Sequence, residues 1–174
     1  MLTLRRSAIL ATVGLLLVMA TIALASPPSG QHTTPAVTGT LQPIDIEPNG
    51  IEFETEQPVE VTTFTLTLDP GGFTGWHTHP GVLIATVQSG AVIRQVGCDS
   101  QTYSVGQAFV EHGDQPTGQV KNASATQPAV FSVTQIAPPG TPRRTEDSPP
   151  SCPASGAQSR GPADADDDRG RDSD

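Results

Sequence analysis

The sequence predicts an all-β domain, a sandwich or a barrel of the jelly-roll kind. From Leu41 to Ala137 short runs of β-branched and aromatic residues recur with no helical period. Turn signals built on Gly, Pro, Asn, Ser and Asp separate these runs roughly every ten residues. Together they give about eight or nine short strands, the spacing of a sandwich or closed barrel.

Ahead of this core, residues 1–25 read as an export signal. Arg5 and Arg6 supply a positive start, Ala8 to Ile22 is an uncharged apolar run, and Ala23-Leu24-Ala25 fits a small-x-small cleavage pattern. An uncleaved membrane anchor is the competing reading, but the run is short for a spanning helix. Cleavage leaves 7 basic residues against 18 acidic ones, a net charge of −11, in a secreted or periplasmic protein. Residues 26–40, SPPSGQHTTPAVTGT, read as a flexible linker with His32 solvated.

Within the core, Ile51 to Thr55 alternates apolar and acidic residues. Glu52, Glu54, Glu56 and Glu60 form the solvated face of an edge strand, where charge blocks edge pairing. Val59 to Leu68 is a strand with Phe64, Leu66 and Leu68 on one face, and Asp69-Pro70-Gly71-Gly72 predicts a turn after it. Phe73 to His79 is a short strand stopped by Pro80-Gly81, followed by strands over 82–87 and 91–96. Residues 102–105, 108–110, 118–121 and 129–136 supply the remaining strands, and Pro138-Pro139-Gly140 ends the domain. Residues 138–174 are Pro-rich and acidic, a largely disordered tail. Asp164, Asp166 and Asp168 have the spacing of a calcium loop, but Gly170 falls one place late and no closing Glu follows.

The whole chain carries −9 with a pI near 4.7, so phosphate backbones and anionic lipid heads repel it. Nucleic acid is excluded as a partner, as is the membrane once the signal is cleaved. A small-molecule ligand and a second copy of the chain remain. No Ser-His-Asp order, phosphate loop or basic patch stands out. Asn122-Ala123-Ser124 matches a glycosylation sequon, a pattern common by chance.

Cys98 and Cys152 are the two cysteines. In an oxidising compartment they most simply form one disulfide, and neither has the C-x-x-C spacing of a metal site. Such a staple orders residues 139–152 against the barrel and contributes on the order of 4 kcal/mol in the chain-entropy model.

The chemistry concentrates in Gly71 to Gly90, GGFTGWHTHPGVLIATVQSG. Residues i and i+2 of a strand share a face, so His77 and His79 can aim two imidazoles at one point, which is half of a metal site. The plainer reading makes them hydrogen-bonded or solvated barrel residues, with Trp76 packing beside them. His112 is the first choice for a third ligand. Glu111 is the second, and would complete a two-His-one-carboxylate triad. The cofactor is then a divalent metal, Zn, Mn, Fe or Ni, or else there is none.

This stretch resembles the first signature of the cupin superfamily. Gly71, five residues, His77-Thr78-His79 and Gly90 keep its frame, but Leu83 stands in the place of its glutamate. Gly106 can open the second signature, where His112, Asp114 and Thr117 replace its proline, glycine and histidine. A one-residue insertion brings Asn122 into its last position. The resemblance covers Val59 to Ile136 and implies a cupin-type jelly-roll (double-stranded β-helix) barrel over 41–137. It implies that His77 and His79 point into that barrel near Leu83. The function it implies is an exported small-ligand-binding barrel with a degenerate metal site. The alternative is a metal-dependent enzyme of dioxygenase or isomerase type using His77, His79 and His112 or Glu111.

Overall fold

In the computed structural model of this chain, residues 26–152 are described. The expected signal, residues 1–25, and the acidic run from Asp164 to Asp168 lie outside them. The strands are β1 (Ser29–Thr33), β2 (Val37–Leu41), β3 (Ile44–Ile46), β4 (Phe53–Thr55), β5 (Val59–Phe73), β6 (His77–Thr78) and β7 (Val82–Ser89). They continue with β8 (Ala91–Val96), β9 (Asp99–Ser104), β10 (Ala108–His112), β11 (Gly118–Asn122), β12 (Ala129–Ala137) and β13 (Thr145–Glu146). Their pairings are antiparallel throughout.

The order β10-β7-β12-β5 makes one wall of the barrel, with β1 and β2 along the far edge of β5. The order β9-β8-β11-β6-β13 makes the other. The walls join where Phe73, at the end of β5, pairs with Lys121 of β11, so the jelly-roll barrel is nearly closed. β3 and β4 form a separate hairpin that carries Glu54 on an exposed face.

Alternation sets the core. On β7, Leu83, Ala85 and Val87 point inward while Val82 and Ile84 stay exposed. Leu66 and Leu68 of β5, Phe131 and Val133 of β12, Phe109 of β10, Val92 of β8 and Val120 of β11 meet them from both walls. Burying each of these side chains stabilises the fold by roughly 1.5–3 kcal/mol.

Two expectations are corrected. Residues 26–40 are not a linker: β1 and β2 pair with β5 through Gln31↔Leu68, Leu66↔Thr33 and Val37↔Thr63. Their Thr and Val residues supply strand propensity that the Pro-, Ser- and Gly-rich composition of the segment hid. His32, on β1, pairs with Asp69 at 2.9 Å on the exposed surface rather than standing alone in solvent.

The second correction concerns Asp69-Pro70-Gly71-Gly72. The chain does not reverse there. β5 runs through it and turns the barrel corner, leaving β12 after Leu68 and meeting β11 at Phe73. Gly71 takes φ +71°, which a side chain would strain, and its N–H donates to Ser124 O at 2.9 Å. Asn122 pins the corner. Its side-chain amide donates to Leu68 O, Asp69 O and Gln127 O at 3.1, 2.9 and 2.8 Å, and its Oδ1 accepts from Ser124 N at 2.8 Å. That buried, fully engaged side chain has no room for a glycan, so the sequon is a chance match.

The expected staple is present: a Cys98–Cys152 disulfide, its Cα atoms 5.5 Å apart, with the segment before it ordered against the barrel through β13 on β6. Residues 153–174 of the expected tail lie outside the described residues.

Candidate metal centre

His77 opens β6, and His79 follows where Pro80 stops the strand. Both side chains are buried and line one cavity with Leu83. Each ring is fixed by its far nitrogen. His77 Nδ1 lies 2.8 Å from Gly75 O, and His79 Nδ1 lies 2.8 Å from Arg143 O. A carbonyl only accepts, so both Nδ1 atoms carry a proton, and in its neutral form each ring leaves Nε2 bare. Those two Nε2 atoms face each other at 3.1 Å.

Gly75 makes the first of these anchors possible. It adopts φ +75°, and the backbone of Ser26 to Pro28 passes so close that any Cβ would collide with it.

The third donor is Glu111 on β10. Its Oε2 lies 3.2 Å from His79 Nε2 and 3.9 Å from His77 Nε2. Burial alone would raise its pKa, but the hydrogen bond to His79 and the charges of His77, His79 and Arg94 hold it below the usual carboxylate range. Arg94 approaches the other oxygen, with Nε 3.4 Å from Oε1, while its Nη2 donates to Gln115 Oε1 at 2.7 Å. Burial pushes His77 below the ordinary imidazole range, against a raising effect from Glu111 and the Gly75 hydrogen bond.

His112 is corrected as the third ligand. β10 alternates, so Phe109 and Glu111 face the cavity while His112 is exposed on the opposite face. The carboxylate that the resemblance expects at Leu83 arrives from the neighbouring strand: Glu111 pairs directly across the ladder with Leu83. Glu111 and Leu83 thus share the same inner face, one strand apart. Counting back from Asn122 puts the missing histidine of the second signature at Gly118, where an added Cβ would stand 3.8 Å from Glu111 Oε1. Trp76 is buried but does not line the cavity.

The residues fit a small divalent ion. The donor atoms of His77, His79 and Glu111 all lie within 4.8 Å of one another. Donors held at about 2.1 Å from a metal stand about 3.0–3.4 Å apart at octahedral or tetrahedral angles. Two of the observed separations, 3.1 and 3.2 Å, fall in that range, and the third, 3.9 Å, lies above it. The cavity beyond them has a volume of about 310 Å³. Phe64, Leu66, Phe109, Phe131 and Val133 give it an apolar part, and Gln31, Thr33, Thr74, Gln135, Arg143 and Arg144 a polar one.

Sequence reasoning missed Arg94, Gln135, Arg143 and the Gly75 carbonyl. A lone Arg in a strand and a main-chain oxygen carry no motif. Only the alternation of β10, with Phe109 inward, could have chosen Glu111 over His112.

No protein-family model and no curated protein matches the chain. Among solved structures it is similar to an uncharacterised conserved protein with a double-stranded β-helix domain from Klebsiella pneumoniae, at 19% identity and a TM-score of 0.43, covering 60% of this chain and 84% of that one. A cupin domain from Schizosaccharomyces pombe gives 10% identity and a TM-score of 0.42, over 62% of this chain and 68% of that one. Oxalate oxidase in complex with the substrate analogue glycolate gives 21% identity and a TM-score of 0.39, over 45% of this chain and 42% of that one. The chain therefore spans under half of that enzyme's length. The strand order and the corner-turning β5 of this chain build a cupin-type jelly-roll barrel, and that is its fold.

Proposed function

We propose that this protein holds one divalent metal ion on His77, His79 and Glu111, and that the ion's open positions hold a small organic ligand in the cavity. The observation that carries the reading is the convergence of three buried lone pairs. Two bare Nε2 atoms and one ionised carboxylate oxygen point at a common space, which only a cation can relieve. A proton on one ring is the other cation available, and the burial that lowers the pKa of His77 works against it.

Two imidazoles and a carboxylate suit Zn, Mn, Fe or Ni. Such an ion, when bound, supplies Lewis acidity toward an oxygen of the ligand. The chain's own residues define the rest of the ligand. The apolar part of the cavity asks for an apolar body. Arg143 stacks over Phe64 at 5.3 Å and makes no ion pair among the described residues, so its guanidinium favours an anionic head. The ligand class is a small carboxylate or similar oxyanion with an apolar body. Nucleic acid and membranes are not partners in this reading, and the disulfide suits an oxidising, exported location.

A second reading, an enzyme of dioxygenase or isomerase type, is favoured by the two-His-one-carboxylate donor set, which leaves metal positions open.

Purified protein is titrated with Zn(II), Mn(II), Fe(II) and Ni(II) by calorimetry and measured by elemental analysis. One ion per chain is expected, lost in His77→Ala and Glu111→Gln and kept in His112→Ala. An ion-free protein, or uptake indifferent to His77 and Glu111, overturns the reading. Dioxygen consumption by the Fe(II)-loaded protein, absent with Zn(II), separates the oxidative enzyme from the binding protein.

A further inference from the structure

One of the three donors is backed from outside the barrel walls. His79 Nδ1 is held by the main-chain oxygen of Arg143, which lies in the segment after β12. Gln135 Nε2 of β12 donates to the same oxygen at 2.6 Å, so both of its lone pairs are used and it can only accept from His79. The segment then runs back across the cavity mouth. Arg144 Nη1 donates to Thr74 O at 2.9 Å. Thr145 and Glu146 pair with Thr78 and His77, and Asp147 N donates to Trp76 O at 2.9 Å.

Hydrogen bonds and the Arg143–Phe64 contact, rather than core packing, hold this strap. β13 is two exposed residues long, and the apolar core lies elsewhere. Its far end is held covalently, at Cys152, to Cys98 in the turn between β8 and β9. One end is thus continuous with β12 and the other is tied to the second wall. A segment tied at both ends stays at high effective concentration over the mouth, whereas one tied at a single end samples solvent.

We infer that residues 138–152 are a structural part of the metal centre, and that the Cys98–Cys152 disulfide sets its metal affinity by keeping the Arg143 carbonyl on His79. The inference rests on the metal reading above. When the strap leaves, His79 loses the acceptor that fixes its tautomer, and the ring can carry its proton on Nε2, the ligating atom. Loss of such an outer partner typically weakens a metal site about 10–100-fold. Arg143 acts here through its backbone, as a positioning residue.

The test compares three full-length proteins: the disulfide-bonded wild type, the double variant Cys98→Ser/Cys152→Ser, and Thr145→Pro, which keeps the disulfide but breaks the pairing of β13 with β6. Co(II) is titrated into each and followed by its visible spectrum. A Kd about 10–100-fold weaker in both variants, with an unchanged β-rich circular dichroism spectrum, is expected. Equal affinities in all three overturn the proposal. A second measurement, independent of metal, reads the His79 ring nitrogens by ¹⁵N NMR in metal-free protein. The wild type is expected to hold the Nδ1–H form and the variants to populate Nε2–H. An unchanged tautomer overturns the proposal. If the wild type takes up no Co(II), the metal reading alone has failed, and the ring measurement still decides whether the strap positions His79. If the double variant does not fold, Thr145→Pro decides both measurements.

Discussion

His77 Nε2 and His79 Nε2 face one another across 3.1 Å while both rings give their Nδ1 protons to carbonyl oxygens. With both rings neutral, their Nε2 lone pairs face one another and Glu111 adds a third donor, a set that could hold a cation.

Metal uptake stabilises the fold. At a free ion concentration about 100 times Kd, binding would add about 2.7 kcal/mol, a rise in Tm of roughly 5–11 °C. Scanning calorimetry with and without Zn(II) is expected to show a rise of roughly 5–11 °C in the wild type and in His112→Ala, and none in Glu111→Gln.

The metal-free protein loses stability on acidification. His77 has a folded pKa below the ordinary imidazole value of 6.5, so the unfolded chain takes up its proton first as pH falls through 6.5. Glu111, also depressed, adds the same sign of loss as pH falls through the ordinary carboxylate value of 4.5. Urea midpoints measured from pH 8 to pH 4 are expected to hold above 6.5 and fall below it. In His77→Asn the decline between 6.5 and 5 is expected to shrink.

Arg94 positions Glu111 rather than touching a ligand. Replacing it in Arg94→Met removes the cation beside Oε1 and frees the carboxylate to rotate. The Glu111 pKa is expected to rise toward the ordinary range and metal affinity to fall several-fold, with the far-ultraviolet spectrum unchanged. An unaltered Glu111 titration, followed by NMR, would show that Arg94 is a bystander.

The barrel corner depends on one amide. Asn122→Ala leaves Leu68 O, Asp69 O and Gln127 O without their donor in a buried site. The expected loss is about 2–4 kcal/mol in chemical denaturation, with Asn122→Asp no better because it cannot donate.

The Cys98–Cys152 loop spans a sequence separation of 54. Opening it is expected to lower the unfolding free energy by about 4 kcal/mol, a large share of a typical domain's 5–15 kcal/mol. Comparing denaturation of the bonded protein with Cys98→Ser/Cys152→Ser measures the difference.

Much of the barrel was legible because alternation is a local signal. Val82 to Val87 and Ala129 to Ile136 announce their inner and outer faces residue by residue. Asp69-Pro70-Gly71-Gly72 misled because the same residues that reverse a chain also bend one, and only Asn122, distant in sequence, decides between them. The His77/His79 pair was legible for the period-2 reason. Its carboxylate was not fixed, because that depended on the register between β10 and β7, which places Glu111 against Leu83. The strap was hidden because its bonds to the site come from backbone atoms, which any residue type supplies.

β1 and β2 have a consequence for how this protein behaves when cut. They occupy nearly the whole outer edge of β5, from Leu41↔Val59 to Ser29↔Phe73. A chain trimmed to 41–137 would keep every core side chain of the two walls. It would also leave a long strand with a bare row of amides and carbonyls facing solvent, a template for joining the same strand of another molecule. The N-terminal strands replace that one long edge with two separate edges of five residues each, which blunts sheet-to-sheet joining.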